Sequence, residues 1–145
     1  MEKILLAVDG SAKSTKAAKK AGEIAKALGA QITVINVVTI NNNYKSAYSK
    51  SKIKRLMEER KQEIKKGKKI LSETVALLKE KGIEINNKVL RKGDPSKWIC
   101  EEAKKGKFDL VILADKGESK IKRFSLGNTS DKVVRYMSIS VLIVK

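Results

Sequence analysis

Short apolar runs alternate with helical stripes along the whole chain. The run Ile4-Leu5-Leu6-Ala7-Val8 is unbroken and stops at Asp9-Gly10-Ser11, which is typical of a central parallel strand that ends in a turn. Apolar residues then recur at spacings of three and four up to Leu28, and Gly29 follows where a left-handed helix end belongs. This stretch predicts a strand and then a helix, which Ser11 or Ser14 can cap.

The same alternation continues to the end of the chain, and it predicts an α/β protein. The predicted strands cover about 4–8, 32–38, 83–90, 110–114 and 139–144, and the predicted helices about 13–28, 52–81, 95–105 and 130–137. Residues 83–90 alternate apolar with polar positions, so this strand is expected nearer an edge of the sheet. Strands that alternate with helices indicate an open parallel sheet with right-handed crossovers and helices on both faces.

Two stretches depart from this regular pattern. The polar segment at about 40–51 has no apolar period, so we expect an exposed, mobile loop there. Gly67 falls inside the long helix pattern of 52–81, where a glycine predicts a weak point, and Gly82 predicts the end of that helix.

The last third of the chain predicts an anion site. The buried run Leu110–Ala114 is followed by Gly117, a basic stretch, Gly127 and the start of a helix. In an α/β protein the loop between a strand and the next helix holds anions on free main-chain N–H groups at the positive end of the helix dipole. Lysines of this loop, such as Lys120, would add mobile cations to a phosphate site.

Composition narrows the range of functions. The chain has 145 residues, of which 41% are hydrophobic, and this suits a single domain over 1–145. It contains no histidine, which excludes a Ser-His-Asp triad, an HExxH zinc site and an imidazole base. Proton chemistry would then depend on Asp, Glu, Lys or a bound metal. We assign no catalytic residue and no metal site in the chain.

The cysteine content and the apolar runs predict a location. The single Cys100 cannot form an internal disulfide, and its place in a helical pattern predicts a buried, inert thiol in a reducing compartment. No run approaches the roughly 18 apolar residues of a membrane span, and the first residues lack the layout of a signal peptide. We expect a cytoplasmic protein with no membrane partner.

The formal net charge of +17 raises the hypothesis of a nucleic-acid partner. The lysines fall mainly on the solvent sides of the predicted helices, however, and aromatic residues, which stack on single strands, make up only 4% of the chain. A solvated surface is therefore favoured over a specific nucleic-acid site, with nonspecific adhesion to polyanions expected at low salt.

Four landmarks occur in register along the chain. They are ILLAVDGS at 4–11, GDP at 93–95, FDLVI at 108–112, and LGNTSDKVVR at 126–135 with VLIV at 141–144. Together they resemble the universal stress protein (UspA-like) family of the nucleotide α-hydrolase-like superfamily. The resemblance covers essentially the whole chain and implies a five-stranded parallel sheet in the order 3-2-1-4-5. It also implies a stress-response protein that forms a homodimer through the last strand, 139–144, and that belongs to a family in which some members bind ATP.

The ATP-binding members carry a glycine, two residues, a second glycine, nine residues, and a third glycine followed by serine or threonine. On this sequence the four positions fall at Ala114, Gly117, Gly127 and Asn128, so two of them depart from the pattern. The methyl group of Ala114 harms such a site only if the backbone there needs positive φ or must approach the ligand more closely than a methyl group allows. Asn128 lacks the hydroxyl of the pattern but still offers a main-chain N–H donor.

The resemblance and the basic loop together predict a site for ATP, with Mg, or for another adenine nucleotide. The candidate contact residues are Ala7, Val8, Asp9, Val37, Ala114, Gly117, Lys120, Gly127, Asn128 and Thr129. Asp9 and Gly127 also fit simple turn geometry, which gives each of them a purely structural interpretation.

The favoured interpretation is a dimeric sensor that acts by binding an adenine nucleotide rather than by turning it over. A ligand that orders the loop at 115–126 would change the surface offered to partner proteins. The alternative from another class is a nucleotide-independent dimeric interaction module with a degraded ATP motif. Slow ATP hydrolysis, with Asp9 as the only identifiable base, and a nucleic-acid-associated protein are the further alternatives.

Overall fold

Strands and helices alternate in the predicted order. The computed structural model describes residues 2–40, 49–116 and 126–145. The elements are β1 (Lys3–Ala7), α1 (Ala12–Leu28), β2 (Gln31–Val38), α2 (Lys50–Glu80), β3 (Ile85–Lys92), α3 (Pro95–Lys105), β4 (Leu110–Ala114), α4 (Asn128–Tyr136) and β5 (Ser140–Val144).

The strands form one five-stranded sheet in the order β3-β2-β1-β4-β5, and every neighbouring pair is parallel. This confirms the order 3-2-1-4-5. From β1 the chain first builds outward through β2 and β3, and then returns to place β4 and β5 on the other side of β1. The direction of winding therefore reverses between β1 and β4, and the carboxyl ends of these two strands border the crevice where open α/β sheets bind ligands.

Helices cover both faces of the sheet, as the sequence predicts. α1 and α2 pack on one face through Ala17, Ala21, Leu71 and Leu78, whereas α3 and α4 pack on the other. The residues of β1 contribute to both layers in turn: Ile4 and Leu6 face α1 and α2, and Leu5 faces α3 and α4. This alternation explains why a strand at the centre of a parallel sheet is continuously apolar.

The predicted caps form where the sequence places them. The Ser11 side chain caps α1 by accepting a hydrogen bond from the Ser14 main chain, and Gly29 ends the helix at φ 64°. Asp94 caps α3 in the same way, with Pro95 in the first turn. α2 starts at Lys50 rather than at about 52, because Ser49 caps it. Residues 41–48 of the predicted loop lie outside the described residues.

Gly67 is not the weak point that the helix pattern predicts. It is buried where α2 crosses the sheet, and a Cβ atom at this position would lie 2.7 Å from Asn36 Oδ1 and 2.9 Å from Val38 Cγ2. The glycine thus lets the helix backbone approach β2 more closely than any side chain would allow. The absence of a side chain serves tertiary packing here and does not mark a break in the helix.

β3 begins two residues later than the apolar pattern predicts. Gly82 takes a left-handed conformation with φ 76°, and the main-chain N–H of Ile83 donates to the carbonyl of Leu78. Ile83 therefore belongs to the turn that closes α2, although its side chain is buried with the strand residues. The predicted position near an edge is confirmed, since β3 is an edge strand with a largely exposed face.

Candidate functional site

A cavity of about 310 Å³ opens at the carboxyl ends of β1 and β4, where the winding of the sheet reverses. Its walls come from the ends of β1, β2 and β4, the first turns of α1 and α3, and the start of α4. This is the position at which the topology predicts a ligand. The volume falls at the lower end of the range for small-molecule sites, which suits a ligand of mononucleotide size.

One end of the cavity is apolar. Val8 and Leu113 are buried, and Val37 and Ile99 bring β2 and α3 to the same wall. The buried amide of Asn36 donates to the Val8 carbonyl at 2.8 Å, which fixes the end of β1 against β2. Such a wall offers a planar, mostly apolar group a dry contact surface.

Asp9 stands at the mouth of the cavity in a tight turn. Its Oδ1 atom accepts a hydrogen bond from the Ser11 main chain at 2.9 Å, and its own main-chain N–H donates to Ser14 Oγ at 3.0 Å. Gly10 takes φ 86°, and a Cβ atom there would lie 2.8 Å from Ile70 Cδ1. Asp9 is thus a turn residue, as its structural interpretation requires, whose exposed side chain also lines the cavity.

The opposite wall is a close junction between β4 and α4. The carbonyl of Asp115 accepts hydrogen bonds from the main-chain N–H of Gly127, at 2.7 Å, and from the hydroxyl of Ser130. A Cβ atom at Gly127 would lie 2.9 Å from the Asp115 oxygen and 3.2 Å from the Cα of Lys116. Gly127 has φ −66°, so glycine is required by close approach and not by conformation.

The start of α4 forms the polar end of the cavity. Gly127 is the N-cap and supplies no side-chain hydrogen bond, so Asn128 and Thr129 bring main-chain N–H groups that have no acceptor within the helix. These donors and the helix dipole together favour an anion at this end. The Ser130 hydroxyl is turned away to the Asp115 and Gly127 carbonyls and therefore braces the junction.

Lys13 and Asp115 add a pair of charges at the cavity wall. Lys13 Nζ lies 3.2 Å from Asp115 Oδ1, and the Asp115 residue is buried. Asp115 itself lines the cavity, so its pairing with Lys13 reduces the negative charge at this part of the wall.

Ala114 ends β4 in extended conformation, in register with Val144 of β5. Within the described part of the chain, Lys107 is the one residue other than glycine with positive φ, so alanine at 114 brings no backbone strain. Ala114 lines the cavity and also packs against the core beneath α1. Steric clearance is therefore the one remaining way in which this departure from the glycine pattern can matter.

The structure brings together those predicted contact residues that it describes. Around the cavity lie Ala7, Val8, Asp9, Val37, Ala114, Gly127, Asn128 and Thr129. Gly117 and Lys120 lie outside the described residues. That each of these residues contacts a ligand remains a prediction. The structure shows that the described residues among them line one cavity.

Sequence reasoning missed several residues of the cavity wall. They include Ser14, Thr39, Pro95, Ile99, Leu113 and Asp115. Asp115 directly follows Ala114 at the end of a predicted strand, so its place in the sequence could have indicated a cavity residue. Pro95 and Ile99 reach the cavity only because α3 packs beside α4, which no local pattern indicates.

The remaining reactive groups lie apart from this geometry. Cys100 is half-buried on α3, and desolvation raises the pKa of its thiol above the usual 9.0, which disfavours the nucleophilic thiolate. Across 2–40, 49–116 and 126–145, no three Asp, Glu or Cys side chains group closely enough to hold a metal ion. In those same ranges no helix combines the length and apolar character needed to cross a bilayer.

Comparison with known sequences gives matches along the full length of the chain. The sequence model of the universal stress protein family matches residues 1–145. The chain is 33% identical over 146 residues to universal stress protein MJ0531 of Methanocaldococcus jannaschii, covering 99% of this chain and 82% of that protein. It is 31% identical over 149 residues to universal stress protein YxiE of Bacillus subtilis, covering 99% and 98%.

Solved structures share the fold. Universal stress protein UspA from Lactobacillus plantarum superposes with a TM-score of 0.84 at 22% identity, covering 99% of this chain and 97% of that one. A universal stress protein in complex with cAMP gives 0.72 at 25% identity, with coverage of 99% and 97%. The protein from Archaeoglobus fulgidus in complex with dAMP gives 0.64 at 18% identity, with coverage of 100% and 98%.

Proposed function

The chain belongs to the universal stress protein family, and from this premise we propose that the cavity between β1 and β4 binds an adenine nucleotide as a sensor. The start of α4 carries the proposal, because it brings main-chain N–H donors that have no acceptor within the helix to a cavity that apolar side chains also line. This arrangement matches a nucleotide, which joins an apolar base to an anionic phosphate.

Two relatives of known structure support the adenine base. One universal stress protein was crystallised with cAMP and another with dAMP, both of which carry adenine and a single phosphate. In this chain Val8, Val37 and Leu113 would contact the base, and the N–H groups of Asn128 and Thr129 would bind the phosphate. ATP, brought with Mg, is the larger candidate, and Gly117 and Lys120 are its predicted additional contacts.

Binding rather than turnover is the proposed activity. Asp9 is the one candidate base that the sequence analysis identifies, but its Oδ1 atom accepts a hydrogen bond from the Ser11 main chain within the turn. A carboxylate in that turn is better placed to accept a hydrogen bond from a ribose hydroxyl at the mouth of the cavity than to activate a water molecule.

The departures from the family pattern provide the test. Ala114→Gly removes the methyl group from the cavity wall, and Asn128→Ser places a hydroxyl at the helix start. We expect the unaltered chain to bind AMP measurably, and the double variant to gain affinity for ATP more than for AMP. Mass analysis of nucleotide retained after purification, followed by calorimetry, measures both. Absence of adenine nucleotide binding in both proteins would favour the nucleotide-independent interaction module.

We also propose a cytoplasmic homodimer that pairs through β5. β5 is an edge strand, and Val141, Leu142 and Ile143 along it are only partly buried within one chain. A partly exposed apolar edge strand is a surface that proteins cover. Sedimentation should give twice the mass of one chain, and Ile143→Lys should shift it toward the monomer, whereas Lys132→Glu on α4 should leave the dimer intact.

A further inference from the structure

The first half of α2 extends beyond the carboxyl edge of the sheet. Gly67 lies against Val38, the last residue of β2, and the residues of α2 before Gly67 continue past that point. The buried residues of α2 are Gly67, Leu71 and Leu78, so no residue from Lys50 to 66 is buried. About 25 Å of helix, at 1.5 Å of rise per residue, therefore consists only of exposed and half-buried residues, with Leu56 and Arg60 across a cleft from Val38 and Thr39.

A heptad seam runs along the whole of α2. Its positions alternate at spacings of four and three: Ile53, Met57, Arg60, Ile64, Gly67, Leu71, Thr74 and Leu78. This is the spacing by which one helix packs along another. In the second half of α2 the seam packs against the sheet and α1, whereas in the first half Ile53 is 37% exposed and Met57 52%.

The exposed half of the seam carries an open, mostly apolar depression. Met57, Arg60, Lys61 and Ile64 surround an open depression of about 380 Å³. These residues stand at positions i, i+3, i+4 and i+7 of one helix face. Four residues of one helix form such a hole for a single side chain from a facing helix in knobs-into-holes packing.

A row of lysines borders the seam. Lys54, Lys61 and Lys68 each follow a seam position directly, so they stand at the flanking positions that determine the choice of partner helix. All three are exposed. Among them Lys61 forms an ion pair within the described residues, with Glu58 at 3.7 Å and at the surface, where such a pair contributes little.

A second copy of this chain does not complement that surface. An antiparallel copy would set one lysine row against the other. A parallel copy would set Arg60 against Arg60 in the seam, and Glu63 is the one acidic residue of the first half of α2 that would stand at a flanking position opposite the lysines. Acidic groups opposite the lysine row, by contrast, would be attracted at each flanking position.

We propose that the first half of α2 docks an amphipathic, acidic helix of another protein. The partner helix places apolar residues along Ile53, Met57 and Ile64, and Asp or Glu residues opposite the lysine row. The surface adjoins the cavity mouth, because Thr39 lines both the cavity and the cleft beneath α2. This inference does not depend on nucleotide binding.

Two synthetic peptides test the proposal directly. Both carry leucine at the seam positions of three heptads, one with glutamate and the other with lysine at the flanking positions. We expect the purified full-length protein to bind the fluorescently labelled glutamate peptide in anisotropy titrations, and to bind the lysine peptide at least roughly tenfold more weakly. Raising the salt concentration should narrow this difference.

Charge-reversal variants locate the interaction. Lys54→Glu, Lys61→Glu and Lys68→Glu combined should invert the preference between the peptides. The matched control, which combines Lys52→Glu, Lys66→Glu and Lys69→Glu on the same helix outside the seam, changes the net charge equally and should leave the preference as it is. Met57→Gln should weaken both complexes. Circular dichroism verifies that each variant keeps its helical content.

Several results would overturn the proposal. Equal binding of the two peptides, or an equal loss of preference in the control variant, would mean that general charge attraction suffices. Recruitment to phosphatidylglycerol vesicles through the same three lysines, without peptide binding, would assign the surface to lipid. Self-association that Met57→Gln abolishes would assign it to a second copy of the chain.

Discussion

The ammonium group of Lys13 lies 3.2 Å from the carboxylate of Asp115, and this ion pair joins the first turn of α1 to the carboxyl end of β4. The Asp115 side chain is only 12% exposed, whereas Lys13 is 47% exposed. An enclosed carboxylate depends on its partner far more than an exposed lysine does. The pair therefore keeps a negative charge at the cavity wall neutralised.

Replacing Lys13 by Met should affect phosphate-bearing ligands selectively. With the lysine gone, the Asp115 carboxylate would repel a phosphate, so AMP should lose more affinity than adenosine. The free energy of unfolding should fall by about 1 kcal/mol because the acceptor loses its partner. Calorimetry and urea denaturation measure the two effects. Lys20→Met, which removes a surface ion pair with Glu23, is the matched control. Equal losses for AMP and adenosine would refute the role of the pair.

Gly127→Ala should open the junction between β4 and α4. The added methyl group would meet the Asp115 oxygen at 2.9 Å, so the start of α4 must move and its N–H groups leave the anion site. We expect loss of AMP binding together with about 1–3 kcal/mol of stability. Gly29→Ala is the control. The φ of 64° at Gly29 also strains alanine, but this residue lies at the end of α1 that is far from the cavity. That variant should lose stability and keep its affinity for AMP.

Gly67→Ala should destabilise the fold, although alanine is the better helix former by about 1 kcal/mol. The clash with Asn36, Val38 and Leu90 should exceed that gain and leave a net loss of about 1–2 kcal/mol. Urea denaturation measures it. Ala76→Gly on the exposed face of the same helix isolates propensity and should cost about 1 kcal/mol. A more stable Gly67→Ala protein would show that α2 does not approach the sheet this closely.

Asp109 predicts a specific pH dependence. The main-chain N–H groups of Glu2 and Lys3 each donate to Asp109 Oδ2 at 2.9 Å, and these bonds lower the pKa of the carboxyl below its usual 3.8. Because the folded-state pKa is depressed, the stabilisation is present above the usual pKa and is lost as pH falls through the folded value. Asp109→Asn should therefore be less stable at neutral pH and lose less stability below about pH 4.

Urea midpoints between neutral and acidic pH test this dependence. Asp131→Asn serves as the control because it also removes one carboxylate, from a surface pair with Arg135. Parallel pH curves for the unaltered chain and Asp109→Asn would contradict the assignment.

The sequence predicts local features of this fold well because they are encoded locally. The strand Leu110–Ala114 and the helix Pro95–Lys105 have the predicted bounds. Capping by Ser11 and Asp94 depends on side chains that reach only two or three residues ahead. Patterns of this kind need no knowledge of the tertiary structure.

Features that arise from tertiary contact escaped sequence reasoning. Lys13 and Asp115 are separated by 102 positions, so nothing near either residue indicates their pairing. The role of Gly67 depends on its contacts with β2 and β3. From the helix pattern alone, the same glycine predicts a weak point in the helix. For the cavity, the resemblance to the family implied residues at the ends of β1, β2 and β4 and at the start of α4. It did not imply the residues of α3, which reach the cavity through helix packing.

Isothermal titration calorimetry of the nucleotide-free protein with AMP tests the central claim most directly, with adenosine and inorganic phosphate titrated in parallel. The account predicts saturable heat at one AMP per chain, weaker binding of adenosine, and no binding of AMP to Gly127→Ala. The absence of saturable heat with any adenine nucleotide, in a protein shown to be folded, would contradict it.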